Sequence, residues 1–403
     1  MKLALYQPWI YLHGGLERSI LNLVKHSKHE WIIYTSYFDP KGTFPEFSTL
    51  DVRIIGRASI KRNFFRVFES AIGMLNVKLP LNHVDGLVVW CDGIGDLVVF
   101  RNRRVPVINI CSTPLRAAFD PVYEETVKRK MKLGRRLLYQ LFKTAFRWVD
   151  RKAWRRYKLI IATSAEVKRR IMRGRLCRDE SRMIVAYPGV EWQPAISIGR
   201  PEQIILLAGR IMWTKNIQQA IRAFLMAPPP QPWRLVIAGY VDEKSQIYLR
   251  ELTEIARHSR IEFHVNPTDA DLARLYEKAS FCVFTALNED WGLVPLEAMA
   301  HGKCVIANAR GGPAESVTDG ETGLLVEPTD QAWSEAICRL TSNPELAAYM
   351  GVQAHRRMSR YTWKRFAATV DRALEGAIHP GFAQASIDDV AKSAARASTS
   401  EDV

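Results

Sequence analysis

The chain has 403 residues, 47% hydrophobic and 25% charged, with a net charge of +15. That length exceeds what one compact core takes, so two domains are expected, and no run approaches the roughly 18 apolar residues of a membrane-spanning helix. Six scattered cysteines, Cys91, Cys111, Cys177, Cys282, Cys304 and Cys338, suit neither a disulfide framework nor a zinc site and point to a reducing cytoplasm.

The opening MKLALYQPWIYLHGG holds an apolar run that Gln7 and Pro8 interrupt. No small-residue cleavage pattern follows, so it reads as a buried first strand rather than a signal peptide. Gly14-Gly15-Leu16-Glu17-Arg18 comes next and opens a helix. Paired glycines let backbone amides approach a phosphate, and a helix N-terminus adds partial positive charge; a plain tight turn accounts for the same residues. His13 reads as a loop residue rather than a ligand.

Short β-branched runs then alternate with helical patterns, the signature of parallel sheets covered by helices on both faces. Strands are predicted in the first half at 2–7, 31–34, 52–55, 86–90, 105–110, 159–163 and 183–187. Residues 1–190 hold 35 Lys/Arg against 16 Asp/Glu, which leaves the remainder of the chain slightly acidic. Much of the excess lies between Lys128 and Arg182, where Leu133, Leu137, Leu141, Ala145 and Val149 recur at helical spacing among basic residues. Three readings of this basic amphipathic helix stay open, in descending order: an ordinary solvated surface helix, a dock for anionic lipid headgroups, and a nucleic-acid surface. No recognised nucleic-acid motif accompanies the charge, so no specific nucleic-acid partner is expected.

After Pro188-Gly189-Val190 the chain turns irregular to Pro201, and the linker is placed there. Strands are predicted again at 204–208, 235–238, 261–265, 281–285 and 305–307, followed by helical periodicity alone from Pro344. In open α/β sheets the ligand crevice lies beyond the carboxyl ends of the strands. Ala208-Gly209-Arg210, with Lys215-Asn216 before the next helix, sits at such an end. Arg210 and Lys215 form a candidate clamp for a departing diphosphate, or are solvated cations. The most specific segment is FTALNEDWGLVPLEAMAHGKCVIANARGGPAESVTDGETGLLV. Trp291-Gly292-Leu293 lies between a strand and a helix, where successive amides can cradle a sugar and phosphate, and Glu289 and Glu297 can accept hydrogen bonds from hydroxyl groups. Asp269 and Asp271, the lone Asp-x-Asp, read as a capped helix start, and no histidine cluster has metal spacing.

This segment resembles the donor-site signature of retaining glycosyltransferases of family 4, the glycosyl transferases group 1, with the GT-B fold. Five blocks align in order over nearly the whole chain: GGLER, ATSAEVKRRI with YPGV, AGRIMWTKN, the Glu289–Glu297 motif, and GGPAESVTDGETGLLV. The resemblance implies two Rossmann-like doubly wound domains facing across a cleft. An acceptor-binding domain would occupy 1–190 and a linker 191–201. A nucleotide-sugar-binding domain would occupy 202–360, a helix at 361–380 would cross back to the first domain, and 381–403 would form a mobile tail.

By the same resemblance, Glu289 contacts the transferred sugar and Glu297 the nucleotide ribose, Arg210 and Lys215 hold the diphosphate, and Gly14 and Gly15 close on it from the other domain. The reaction needs neither cofactor nor metal, the nucleotide-sugar being a substrate. The acceptor hydroxyl attacks on the face that the leaving group departs from, and the phosphate takes its proton. On the acceptor side, ICSTPLRAAFD resembles a loop that reads His-Thr-Pro-x-Arg in many relatives. Ser112 stands at the histidine position while Arg116 and Asp120 keep theirs.

The expected function is therefore a hexosyltransferase of cell-surface polysaccharide or glycoconjugate synthesis. GDP-mannose is favoured over a UDP-sugar as donor, the acceptor is a glycan or lipid-linked glycan, and the location is cytoplasmic or peripheral at the inner face of the membrane. The alternatives are a catalytically impaired nucleotide-sugar-binding protein, for which Ser112 speaks, and a GT-B sugar-nucleotide epimerase.

Overall fold

The computed structural model describes residues 1–59, 64–91, 93–129, 131–195, 201–257 and 260–379. The expected tail 381–403 and residues 196–200 of the expected linker lie outside them. The chain folds as two compact units: Met1–Tyr187 with the C-terminal helix Trp363–Ile378, and Pro188–Thr362.

In the first unit the strands are β1 (Lys2–Tyr6), β2 (Trp9–Ile10), β3 (Glu30–Thr35), β4 (Tyr37–Phe38), β5 (Val52–Ile54), β6 (Gly86–Val89), β7 (Val107–Cys111), β8 (Leu159–Ala162) and β9 (Met183–Val185). Seven of them make one parallel sheet in the order β5-β3-β1-β6-β7-β8-β9. Buried on both faces, β1 and β6 read as continuous apolar runs, LALY and GLVV. The opening residues are thus a central strand. The two-residue pair β2 and β4 was not expected; so short a pairing has no period to read.

The second unit adds β10 (Ile204–Ala208), β11 (Arg234–Gly239), β12 (Ile261–Val265), β13 (Phe281–Phe284), β14 (Val305–Asn308) and β15 (Gly323–Val326), in the parallel order β12-β11-β10-β13-β14-β15. Strand β15, at GLLV, is an addition to the sequence reading, its four residues being too few to separate from the motif they close. In both sheets the order reverses once, between β1 and β6 in the first unit and between β10 and β13 in the second. These are the switch points beside which α/β sheets bind ligands.

The basic helix runs from Leu133 to Trp154, and the structure shows which way its regular leucines point. Its inward face carries Lys143, Phe146, Asp150, Ala153 and Trp154, while Leu133, Leu137 and Leu141 face solvent. Of the expected stripe, Val149 alone packs on a buried cluster, with Phe142 and Phe146. Beneath the helix lies a polar knot in which Tyr157 donates its hydroxyl to Asp96 and Asn109 Nδ2 donates to the same carboxylate at 3.3 Å.

The C-terminal helix packs on the first unit by an apolar face that includes Phe366, 6.0 Å from Trp90 ring to ring, and polar contacts fix it there. Asp371 accepts from Ser27 Oγ at 2.6 Å and from the Lys28 backbone N–H at 2.9 Å, and Lys28 pairs with Glu375 at 2.8 Å.

Candidate functional site

The second unit's switch point is built by two loops. The first leaves β10 through Gly209, at φ +124°, passes the exposed Arg210, and makes a short turn, Trp213–Lys215, before Asn216 enters the helix Ile217–Met226 with φ +51°. Asparagine tolerates that left-handed conformation better than most residues. It brings Lys215 back over the sheet.

The second loop leaves β13. Thr285 Oγ1 donates to the Lys215 carbonyl at 2.8 Å and so ties the two loops together. Lys215 Nζ lies 2.6 Å from Glu289 Oε2 and 5.3 Å from the centre of the Phe284 ring, with both partners of the ion pair largely but not wholly buried. The pair therefore joins residues that the sequence separates by more than seventy positions, one cation and one carboxylate side by side at the switch point. A charge-assisted bond of this geometry is stronger than a neutral one.

Two close approaches of backbone hold the frame. A Cβ on Gly239, the last residue of β11, would sit 1.6 Å from the Gly209 carbonyl oxygen. On the other side Gly311 and Gly312 pack on the site loop. A Cβ on Gly311 would come within 2.5 Å of the Glu289 carbonyl oxygen and one on Gly312 within 2.3 Å of Trp291 Cα, and the Gly312 N–H donates to that Glu289 carbonyl at 3.0 Å. The sequence displayed Gly311-Gly312 inside a motif; their work as a backrest for Glu289 needed the fold.

Gly292, at φ +90°, turns the loop into the helix Leu293–Ala300, whose first N–H groups have no intrahelical acceptor. Leu293 opens this helix and Glu297 lies on it, half-buried. The Trp291 side chain is buried, donating its indole N–H to the Pro188 carbonyl at 2.8 Å and meeting Tyr361 edge-on at 5.2 Å. Only its backbone is left to face a ligand. Asp271 fills the role expected of it, completing a capping box with Thr268 and pairing with Arg274.

In the first unit, Gly14 precedes the helix Gly15–His26, and a Cβ there would meet the Glu17 carboxylate at 2.5 Å. His13 is a loop residue, bonded to the Thr43 carbonyl at 2.8 Å and stacked on Phe44. Ser112 follows β7 and accepts from the Trp90 indole N–H at 2.8 Å. Arg116 begins a short helix, and Asp120 accepts from the Val122 and Tyr123 amides and lies 3.8 Å from Arg170. Among the described residues no group of three or more His, Cys, Asp or Glu side chains gathers as metal ligands, and no helix is long and apolar enough to cross a membrane.

Two Rossmann-like units with parallel sheets define the GT-B class of fold, and solved structures agree along almost the full length. The chain superposes on HepE of Anabaena, solved with UDP and glucose, with a TM-score of 0.68 at 16% identity, covering 93% of this chain and 100% of that one. Against the sucrose-phosphate synthase of Thermosynechococcus elongatus the TM-score is 0.70 at 18% identity, over 93% and 98% of the two chains.

Residues 191–357 match the family described as Glycosyl transferases group 1. Among curated proteins, the D-inositol 3-phosphate glycosyltransferase of Corynebacterium urealyticum is 31% identical over 43% of each chain. The alpha-1,3/1,6-mannosyltransferase alg-2 of Neurospora crassa is 24% identical over 87% of this chain and 84% of its own. The chain spans less than half the length of the first curated relatives it matches, 43% in the first two.

Proposed function

We propose that the protein is a retaining glycosyltransferase of family 4 that moves a hexose from a nucleotide-sugar to a glycan or lipid-linked acceptor in glycoconjugate synthesis. The observation that carries the reading is the Lys215–Glu289 pair at the second unit's switch point, inside the region that matches the group 1 family. GDP-mannose is the first donor to test and UDP-sugars the second: the alg-2 relative is named a mannosyltransferase, and HepE was solved with UDP.

The chemistry follows from what these side chains can do. Lys215, with Arg210 five residues before it, supplies positive charge where a diphosphate gathers negative charge as the glycosidic bond breaks. Glu289, already oriented by Lys215 and backed by Gly311 and Gly312, accepts hydrogen bonds from sugar hydroxyls, and Glu297 accepts from the ribose. Backbone amides at Trp291, Gly292 and Leu293 line the start of the helix, where partial positive charge favours phosphate. Gly14 and Gly15 are assigned the first unit's share of donor binding, and Ser112, Arg116 and Asp120 the acceptor side. The acceptor hydroxyl passes its proton to the departing phosphate, so no enzymic nucleophile and no cofactor enters, and the charge work is done by Arg210 and Lys215 in place of a metal.

The test is a thermal-shift screen of UDP, GDP, ADP and their sugars, followed by transfer assays with the sugar of the nucleotide that binds. A ligand at about 100 times its dissociation constant adds roughly 2.7 kcal/mol of stability. A protein that no nucleotide stabilises would refute the proposal. One that binds a donor without ever transferring it would be the impaired binding protein instead.

A further inference from the structure

The outward face of the basic helix Leu133–Trp154 has no role in the fold. At about 100° per residue, Leu133, Leu137, Leu141 and Trp148 fall within an arc of about 80°, and all four point to solvent, exposed by 82%, 67%, 62% and 61%. The same helix already anchors itself by the opposite face, through Phe146, Asp150, Ala153 and Trp154. Four large apolar side chains in one stripe, none needed for packing, mark an interaction surface.

The charge around the stripe identifies its occupant. Within the helix stand Arg135, Arg136, Arg147, Arg151 and Lys152, while Lys143 faces inward and pairs with Glu124, and the helix's single acid, Asp150, also faces inward. Arg135 and Lys152 are exposed, as are Lys132 before the helix and Arg155 after it. The Lys152 ammonium lies 3.3 Å from the centre of the Trp148 ring, so cation and aromatic meet on the stripe itself.

We infer that this helix docks the protein on an anionic lipid bilayer, lying in the plane of the headgroups with its leucines and Trp148 among the acyl chains and its cations at the phosphates. A nucleic acid would satisfy the cations but offers the leucines nothing. A second copy of the chain would cover the leucines but set one basic face against another. An anionic membrane surface satisfies both features, and the inference stands apart from the transferase reading.

The experiment is co-sedimentation of the full chain with vesicles, either of phosphatidylcholine alone or of two parts phosphatidylcholine to one part phosphatidylglycerol. The protein is expected to pellet with the anionic vesicles, to bind the neutral ones far less, and to bind more weakly as salt rises. The double substitution Leu137→Gln and Leu141→Gln should lower the anionic partition coefficient at least about tenfold, because burial in the acyl region scales with apolar area, while leaving the melting temperature unchanged. The pair Arg135→Glu and Lys152→Glu should abolish the preference for anionic lipid. Wild-type protein that stays in the supernatant, or a leucine double variant that pellets as well as wild type, would overturn the inference. So would a dimer in solution that the leucine double variant dissolves.

Discussion

Glu289 and Lys215 hold each other at 2.6 Å, so each orients the other, and their substitutions should separate two functions. Glu289→Gln keeps the size of the side chain and removes its charge. In a transfer assay it is expected to lower turnover on the order of a hundredfold, the cost of deleting one preorganised polar contact to the reacting group, while nucleotide binding persists. Unchanged turnover would remove Glu289 from the site. A second residue reports on the fold itself. Asp150 is buried beside Asp96, and burial first, then the neighbouring carboxylate, pushes its carboxyl well above its ordinary value of 3.8. A raised acid favours the folded state while it stays protonated, and that stability is lost as pH rises from the unfolded value toward the folded one. Asp150→Asn should therefore match wild type near the unfolded value and exceed it in stability at neutral pH. Urea titrations at the two pH values would show it, and a variant less stable at neutral pH would contradict this.

At the scale of elements, β10 and β11 pair in register from Ile204↔Arg234 to Ala208↔Ala238, and their ends touch through Gly209 and Gly239. Gly239→Ala would drive a methyl into a backbone carbonyl that cannot yield as a side chain can. About 3 kcal/mol of stability should be lost, and nucleotide binding with it, since the displaced turn carries Arg210 and Lys215; a denaturation midpoint close to wild type would show the strands to be more yielding than their close approach suggests. The C-terminal helix gives a complementary case. Asp371 accepts two hydrogen bonds, from Ser27 and the Lys28 amide, and Asp371→Ala leaves both donors wanting. A loss of about 1–3 kcal/mol is expected in chemical denaturation. The strands that carry these elements were legible because a doubly buried parallel strand is a short apolar run between turn signals. The direction of the basic helix was not. Its leucine period was plain in the sequence, but Phe142, Phe146 and Val149 form a competing apolar stripe, and periodicity alone does not say which stripe the sheet will cover.

For the whole molecule, the doubly wound α/β character of both halves followed from alternation of strand and helix patterns. What the sequence left unseen was tertiary. Lys215 and Glu289 were each singled out, one for phosphate and one for sugar, but nothing in either motif states that they touch. Trp291 stood in the motif for its backbone amide, and its indole turns inward to Pro188 and Tyr361, a use that only the folded path of the chain reveals. As a transferase, the protein must hold a nucleotide diphosphate through Lys215 at the switch point of the second unit, and calorimetric titration of wild type and Lys215→Ala with the nucleotide selected by the thermal screen measures that hold. Deleting the ammonium from a charge-assisted hydrogen bond should cost about 1.5–3 kcal/mol, so wild type is expected to bind and Lys215→Ala to bind roughly ten- to hundredfold more weakly; equal affinity in the two proteins would contradict the account.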